Sequence, residues 1–214
     1  MNPSRIYRPN FNARAESNTT AAGWPRALEP AALHGLAGEL VGRLEPHTEA
    51  DPVAILFQFL VALGNLIGRS AHFTVEGKKQ YCNMNSVLVG DTSKSRKGVS
   101  WGRVHELFRQ IDPAWQKPAS GMSTGEGLIW AVRDPVICRD GKGDGKMVDE
   151  GVADKRLLVV EEEFSRVLKC ANREHNTLSA VFRQAFDTGD LRILTKSNPA
   201  EATGAHISCI GHIT

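Results

Sequence analysis

The chain has little cysteine and no long apolar run, and these absences exclude several classes of protein. Its 214 residues include Cys82, Cys138, Cys170 and Cys209, which are scattered and form no C-x-x-C pair. Neither a disulfide framework nor a cysteine metal site is therefore expected. The longest apolar stretch, residues 53–67, is interrupted by polar residues and is too short to span a bilayer. With no apolar signal segment at the N-terminus, we expect a cytoplasmic protein that does not act on membranes.

A strong excess of charge of either sign is also missing. The formal net charge is +2, so overall charge does not predict a nucleic-acid-binding protein, and any basic surface has to be local. The chain length and a hydrophobic content of 41% are sufficient for one α/β domain with a sizeable core.

The sequence pattern divides the chain into three parts. Residues 1–25 are rich in Asn, Ser, Thr, Ala and Arg, show no periodicity, and are predicted to be disordered. Residues 26–70 form a helical lead-in, with helices predicted over 30–44 and 51–68. Residues 71–214 alternate strand and helix patterns, which predicts a doubly wound, mainly parallel α/β sheet.

Within this core, the predicted strands cover residues 71–75, 81–89, 157–160 and 206–211. The predicted helices cover residues 101–111, 164–171 and 177–186, and a capping box at 123–126 is expected to begin another. Residues 139–155, rich in Gly, Asp and Lys, are predicted to form a mobile surface loop. The strand at 157–160 is a continuous apolar run, which is typical of a strand buried on both faces of a parallel sheet, and residues 206–211 are predicted to form another inner strand.

Residues 86–100 have the pattern of a phosphate-binding loop. A short strand is followed by a loop of small residues and cations and then by the start of a helix. Such a loop holds phosphates through backbone N–H groups, a helix N-terminus and a lysine. The usual order is G-x-x-x-x-G-K-[ST]. Counting from Gly90, Ser95 and Arg96 take the Gly and Lys positions, and Lys97 comes one place late.

The predicted nucleotide-binding residues of this loop are Gly90, Thr92, Lys94, Arg96, Lys97, Gly98 and Ser100. The three cations can neutralise phosphates, and the glycines allow close approach of the backbone. The hydroxyl of Ser100 or of Thr92 is a candidate Mg²⁺ ligand. The sequence leaves open which of the three cations meets the β- and γ-phosphates. The alternative interpretation is a solvated basic loop, or one that contacts nucleic-acid phosphates.

Three glutamates, Glu161, Glu162 and Glu163, directly follow the apolar strand at 157–160. Glu161 is predicted to hold Mg²⁺, directly or through water. Glu162 is predicted to be the catalytic residue that polarises the attacking water. The alternative is that these carboxylates only favour the first turn of the following helix.

Polar residues also follow the last predicted strand. His212 and Thr214 are predicted to be sensor residues that contact the γ-phosphate or the attacking water, although a strand can simply end in polar residues. The loop, the glutamates and these residues each follow a separate apolar strand. In open α/β sheets, ligands bind at the carboxyl ends of the strands. The coincidence of the three clusters therefore favours a nucleotide site.

Several segments together resemble a known family. They are PHTEADP at 46–52, GDTSKSRKGVSWGRV at 90–104, SGMSTGEGL at 120–128, VEEEF at 160–164 and GAHISCIGHIT at 204–214. In combination they are similar to an uncharacterised family of P-loop ATPases from bacteria, phages and plasmids, some of them fused behind a primase–polymerase domain. The resemblance covers residues 25 to 214.

The resemblance implies a RecA-like P-loop NTPase core that binds ATP and Mg²⁺. It also implies a helicase-like or primase-like role in DNA replication of mobile elements, with DNA as a partner and a homo-oligomeric ring as the assembly. By the same resemblance, residues 94–100 are the phosphate loop, Glu161 and Glu162 the acidic motif, and Gly-His-Ile-Thr the sensor strand.

The chain departs from the family in two places. Val99 stands where a hydroxyl would strengthen the metal site, and the chain ends at Thr214, earlier than members of the family, which implies a core that is incomplete at the C-terminus. The alternative function is therefore a non-catalytic nucleic-acid-binding or interaction protein with a degenerate loop.

Overall fold

The structure is a computed structural model that describes residues 28–91, 96–112, 115, 118–139, 145–194 and 200–214. The α-helices are α1 (Gly35–Leu44), α2 (Pro52–Ile67), α3 (Lys97–Ile111), α4 (Gly125–Ala131), α5 (Phe164–Ala171) and α6 (Leu178–Asp187). The strands are β1 (His72–Val75), β2 (Lys78–Tyr81), β3 (Asn85–Val89), β4 (Val136–Arg139), β5 (Gly145–Asp149), β6 (Arg156–Glu161), β7 (Leu191–Ile193), β8 (Ala200–Ala202) and β9 (His206–Ile213).

The central sheet is parallel and has the order β3-β9-β6. Val89 of β3 lies opposite Ile213 of β9, and Glu161 of β6 lies opposite Gly211 of β9. On the other side of β6, Ala119 adds a single parallel bridge. The predicted mixed α/β class is therefore confirmed, and so are the two inner strands predicted at 157–160 and 206–211.

Helices pack on both faces of this sheet at β6 and β9, whose residues are buried on both faces. Leu158, Val160 and Ile210 belong to the core formed with α1, α2 and α3. Leu157 and Val159 belong to the core formed with α4, α5 and α6. Successive residues of β6 alternate between the two layers, as the period-2 geometry of a strand requires.

Helix α2 begins and ends at the residues that the sequence predicts. The Asp51 side chain accepts a hydrogen bond of 2.8 Å from the Val53 N–H, and Pro52 occupies the first helical position. Gly68 follows the last turn with a φ of 64°, a conformation that glycine adopts at little cost. Most of α2 is buried, as predicted. Within the described residues, no helix has both the length and the apolar content needed to cross a bilayer.

The strand predicted over residues 81–89 is correct only for residues 85–89, because Tyr81 is the last residue of β2 and residues 82–84 lie in no strand. β2 pairs antiparallel with β1, whereas β3 joins the central sheet. Between them, the Asn83 side chain donates hydrogen bonds to the carbonyl oxygens of Ala185 (3.4 Å) and Phe186 (3.1 Å) at the end of α6. These contacts hold the connection between β2 and β3, where the sequence has Asn83 and Asn85 but no glycine or proline.

The surface loop predicted over residues 139–155 is also wrong in part, because β4 and β5 form an antiparallel hairpin there. The Arg133 guanidinium fixes its base through two hydrogen bonds to the Asp149 carboxylate, of 2.6 and 2.9 Å. This guanidinium also lies 3.9 Å from the centre of the Trp130 ring. This ion pair thus holds the end of β5 against the residues that connect α4 to β4.

Several boundaries differ from those predicted. The helix predicted over 30–44 is a short 3₁₀ turn, Pro30–Ala32, followed by α1. Helix α3 begins at Lys97, four residues before the predicted start. The hydroxyl of Thr124 caps α4, but the Glu126 carboxylate accepts from the Thr177 hydroxyl at 3.0 Å instead of completing a capping box. The disorder predicted for residues 1–25 lies outside the described residues.

Gly211 marks a close contact between β9 and α5 and provides a test of the packing. A Cβ at this position would lie 2.6 Å from Cδ2 and 2.8 Å from Cγ of Phe164. We expect Gly211→Ala to lower the free energy of unfolding by about 1–3 kcal/mol, measured by urea denaturation, because the ring has to move. Gly102→Ala on α3 is the control, since a Cβ there has no neighbour within 4 Å. Equal stability of the two variants would contradict this packing.

Candidate nucleotide-binding site

The three predicted clusters lie at one edge of the central sheet. β3 leads into Gly90, β6 ends at Glu161, and β9 ends between them at Ile213. The Gly90 N–H donates to the Ile213 carbonyl oxygen at 3.2 Å, so the start of the loop is tied to the sensor strand. The structure therefore brings together the described ends of the loop, at Gly90 and at Lys97, with the glutamates and the polar strand end. Among the predicted loop residues, Thr92 and Lys94 lie outside the described residues.

Lys97 is the first residue of α3, and its ammonium group lies at the centre of this edge. Its Nζ donates to the carbonyl oxygens of Gly90 at 2.7 Å and Ile213 at 3.1 Å. Both acceptors are neutral, so these two contacts orient the ammonium without neutralising its charge. A positive charge is thus held beside the N–H groups of a helix N-terminus, the arrangement that favours anions.

Arg96 occupies the residue before this lysine, where the usual pattern has glycine. Its φ is 48°, in the left-handed region, which costs a non-glycine residue roughly 1–2 kcal/mol. Its guanidinium pairs with the Glu49 carboxylate. Nearby, Arg103 donates to the His47 carbonyl oxygen at 3.0 Å. The segment 46–49 therefore packs against the start of α3 and stabilises the unusual conformation of Arg96.

The remaining predicted loop residues on α3 differ in exposure. Gly98 is exposed, and no side chain crowds it. Ser100 is fully buried, and its hydroxyl donates to the Lys97 carbonyl oxygen at 2.7 Å. Its role as a metal ligand stays a prediction: the hydroxyl oxygen keeps its lone pairs when it donates to Lys97, but its burial leaves it no exposed surface.

Glu161 is buried at the end of β6, and both of its carboxylate oxygens have partners. Oε1 accepts from the Met122 N–H at 2.5 Å, and Oε2 accepts from the Arg166 guanidinium at 2.9 Å. Sequence reasoning missed Arg166, which belongs to α5. Since both oxygens are engaged, a contact to Mg²⁺ through water fits this carboxylate better than direct ligation.

His212 is buried on β9, and charges on both sides act on it. Burial lowers the pKa of its imidazole, the negative charge of Glu162 raises it, and the positive charge of Lys97 lowers it. The pKa is lowered overall, so the ring is neutral at pH 7. Glu162 itself is exposed. Thr214, the other predicted sensor residue, is exposed beyond the end of β9.

Gln58 is a site residue that sequence reasoning missed. It lies in α2, is completely buried, and its amide nitrogen is 2.8 Å from Nε2 of His212. The same nitrogen is 3.4 Å from the Lys97 carbonyl oxygen. A signal was available in the sequence, because Gln58 is the one polar residue between Pro52 and Gly64.

A cleft of about 1060 Å³ opens beside Glu161 and Glu162, at the end of β6. Its lining includes Glu162 and Arg166 and, from α3, Trp101, His105 and Arg109. The rings of Trp101 and His105 are stacked, with centroids 5.3 Å apart. The cleft is as large as typical small-molecule sites, and it carries charged groups of both signs.

Comparison with known proteins assigns no function to this site. No family model matches the chain, and no curated protein matches it at a significant level. Within the described part of the chain, no group of three His, Cys, Asp or Glu side chains is placed to hold a metal ion.

The two buried histidines of β9 predict sensitivity to acid. Burial lowers the pKa of both His206 and His212 below the ordinary value of 6.5. The unfolded chain therefore binds more protons below pH 6.5, and we expect the free energy of unfolding to fall as the pH falls below that value. Urea unfolding between pH 7.5 and 5.5 measures this. The fall should be smaller in His206→Asn and unchanged in His175→Asn, whose side chain is exposed.

Proposed function

We propose that the chain is an ATP-binding module with a RecA-like P-loop NTPase core, and that it hydrolyses ATP with Mg²⁺. The observation that carries the proposal is the position of Lys97. Its ammonium lies at the N-terminus of α3, between the carboxyl ends of β3 and β9, with neutral carbonyl oxygens as partners. This arrangement has the elements that a triphosphate requires.

Phosphate binding follows from the groups at the start of α3. The N–H groups in the first turn of a helix have no partner within that helix and point outward from its N-terminus. In the proposed complex, these groups and the Lys97 ammonium donate to the phosphate oxygens. Gly98, the second residue of α3, carries no side chain that would block the approach. Arg96 stays with Glu49 and shapes the end of the loop.

The glutamates at the end of β6 are the groups proposed to act on the metal ion and on the attacking water. A bound Mg²⁺ would neutralise charge on the phosphates, and Glu161, fixed by Arg166, would hold its water shell. Glu162 is exposed and accepts the proton of the attacking water. Neutral His212 lies between the charges of Glu162 and Lys97 and donates a hydrogen bond from its protonated ring nitrogen.

The strand order supports a RecA-like core. β9, which carries the proposed sensor residues, lies between the loop strand β3 and the acidic strand β6. A replicative role on DNA, a helicase-like activity and a homo-oligomeric ring are proposed from the sequence resemblance alone.

Calorimetric titration tests the proposal. We expect ATP with Mg²⁺ to bind at micromolar to millimolar concentration, and adenosine to bind much more weakly, because the phosphates make the charged contacts. Equal affinity for adenosine and ATP, or no heat of binding with ATP, would contradict the proposal.

The second candidate is a non-catalytic protein whose loop contacts nucleic-acid phosphates or a partner. Two contacts favour it: the hydroxyl of Ser100 is bonded within α3, and both oxygens of Glu161 are engaged. Neither group is offered directly to a metal ion. Phosphate release from ATP that continues over many turnovers would exclude this candidate.

A further inference from the structure

Gln58 connects three elements that are far apart in the sequence. It projects from the middle of α2, contacts His212 at the end of β9, and contacts the backbone of Lys97 at the start of α3. Its side chain is completely buried among apolar neighbours of that helix. Its amide oxygen has no hydrogen-bond partner among the described residues. A leucine or methionine would fill the same space without burying an unpaired carbonyl, so packing alone does not explain a glutamine here.

The orientation of the amide determines the protonation of His212. If the amide were rotated by 180°, its oxygen would face the Lys97 carbonyl oxygen, and two acceptors would repel each other. With the amide nitrogen in that position, Gln58 donates to the Lys97 carbonyl and to Nε2 of His212. Nε2 must then be unprotonated, so the proton of the neutral ring lies on Nδ1.

We propose that Gln58 is a positioning residue of the ATP site, which holds His212 as its neutral Nδ1–H tautomer and fixes its ring relative to the first turn of α3. This role rests on the proposed ATP-binding function, but the contact itself does not. The Nδ1–H group is then the donor available to a phosphate oxygen or to the attacking water. A protonated His212 would lose the hydrogen bond from Gln58, because Nε2 would no longer accept.

The other groups that act on His212 come from different elements. Glu162, which follows β6, favours the protonated ring, and Lys97 at the start of α3 opposes it. Gln58 is the contact from α2. Glu162 and Lys97 therefore act on the charge of the ring, whereas Gln58 contacts one particular ring nitrogen, Nε2, and so favours one neutral tautomer.

Nitrogen-15 NMR of the histidine rings in the full chain tests the proposal without ATP. In the parent protein, Nε2 of His212 should have the shift of an unprotonated nitrogen. In Gln58→Met, which keeps the volume and removes the donor, a substantial fraction should change to the Nε2–H tautomer. In Gln58→Glu, the buried carboxylate should raise the pKa of His212. Gln110→Met on the exposed face of α3 is the matched control and should leave His212 unchanged.

ATP affinity is the second measurement. We expect Gln58→Met to weaken ATP binding about tenfold through loss of the fixed spacing between His212 and Lys97. A parent Nε2 that is protonated, or His212 signals that are unchanged in both Gln58 variants, would overturn the proposal whatever happens to ATP. If the parent shows the expected tautomer but binds no ATP, the proposed function fails and only the Gln58–His212 contact stands. Should Gln58→Met not fold, the parent spectrum and Gln58→Glu still decide the matter.

Discussion

Lys97→Ala is expected to weaken the binding of ATP with Mg²⁺ by about 10- to 100-fold. A charge-assisted hydrogen bond to a phosphate contributes roughly 1.5–3 kcal/mol, and each 1.4 kcal/mol is a factor of ten in affinity. Calorimetric titration measures the change. Lys97→Arg should restore affinity only in part, because a planar guanidinium cannot reproduce the contacts of a compact ammonium with Gly90 and Ile213.

Lys78→Ala is the matched control for this substitution, since Lys78 is an exposed lysine on the β1–β2 hairpin. Its affinity for ATP should equal that of the parent. Urea unfolding of Lys97→Ala shows whether the variant still folds, because the ammonium also ties α3 to β9. A folded Lys97→Ala variant with parental affinity would show that another cation meets the phosphates.

Glu162→Gln is expected to reduce the rate of ATP hydrolysis by at least about 100-fold, the usual contribution of a general base. The binding of ATP should remain within a few-fold of the parent value, because the substitution keeps the shape of the side chain and Glu162 lies outside the phosphate-binding groups. Phosphate release measured under single-turnover conditions separates this effect from product release.

Glu163→Gln is the control for Glu162→Gln. Glu163 is the neighbouring exposed glutamate, and its carboxylate accepts a hydrogen bond from the Ser165 hydroxyl at the start of α5. Its removal should leave hydrolysis unchanged. Equal loss of activity in both variants would show that hydrolysis depends on the negative charge of this segment and not on Glu162 in particular. Hydrolysis by Glu162→Gln at the parental rate would show that Glu162 is not the base.

The elements that the sequence predicts well are those with local signals. Helix α2 has a cap residue, a proline and a glycine at its ends, and β6 is a continuous apolar run that has to be buried on both faces. The elements that it misses depend on distant contacts. The separation of β2 from β3 depends on hydrogen bonds between Asn83 and α6, a hundred residues later. The β4–β5 hairpin likewise depends on the pair of Arg133 and Asp149.

The candidate site likewise contains residues that local sequence signals predict and residues that depend on distant contacts. Parallel strands end at a common edge, and this rule alone places Lys97, Glu161 and His212 near one another. Their partners cannot be deduced in that way. Gln58 and Arg166 come from helices whose rotation is set by core packing. Gln58 stands out as the one polar residue of an apolar run, but that pattern does not state that it contacts His212.

Backbone-amide and histidine NMR with Mg²⁺ and ATP is the most direct test of the central claim that the end of β3, the start of α3 and the end of β9 form one triphosphate site. We expect the resonances of Gly90, Lys97, Gly98 and His212 to shift together along one binding curve, while those of the β1–β2 hairpin stay in place. Binding that leaves these four residues unchanged, or that shifts residues elsewhere in the chain instead, would contradict it.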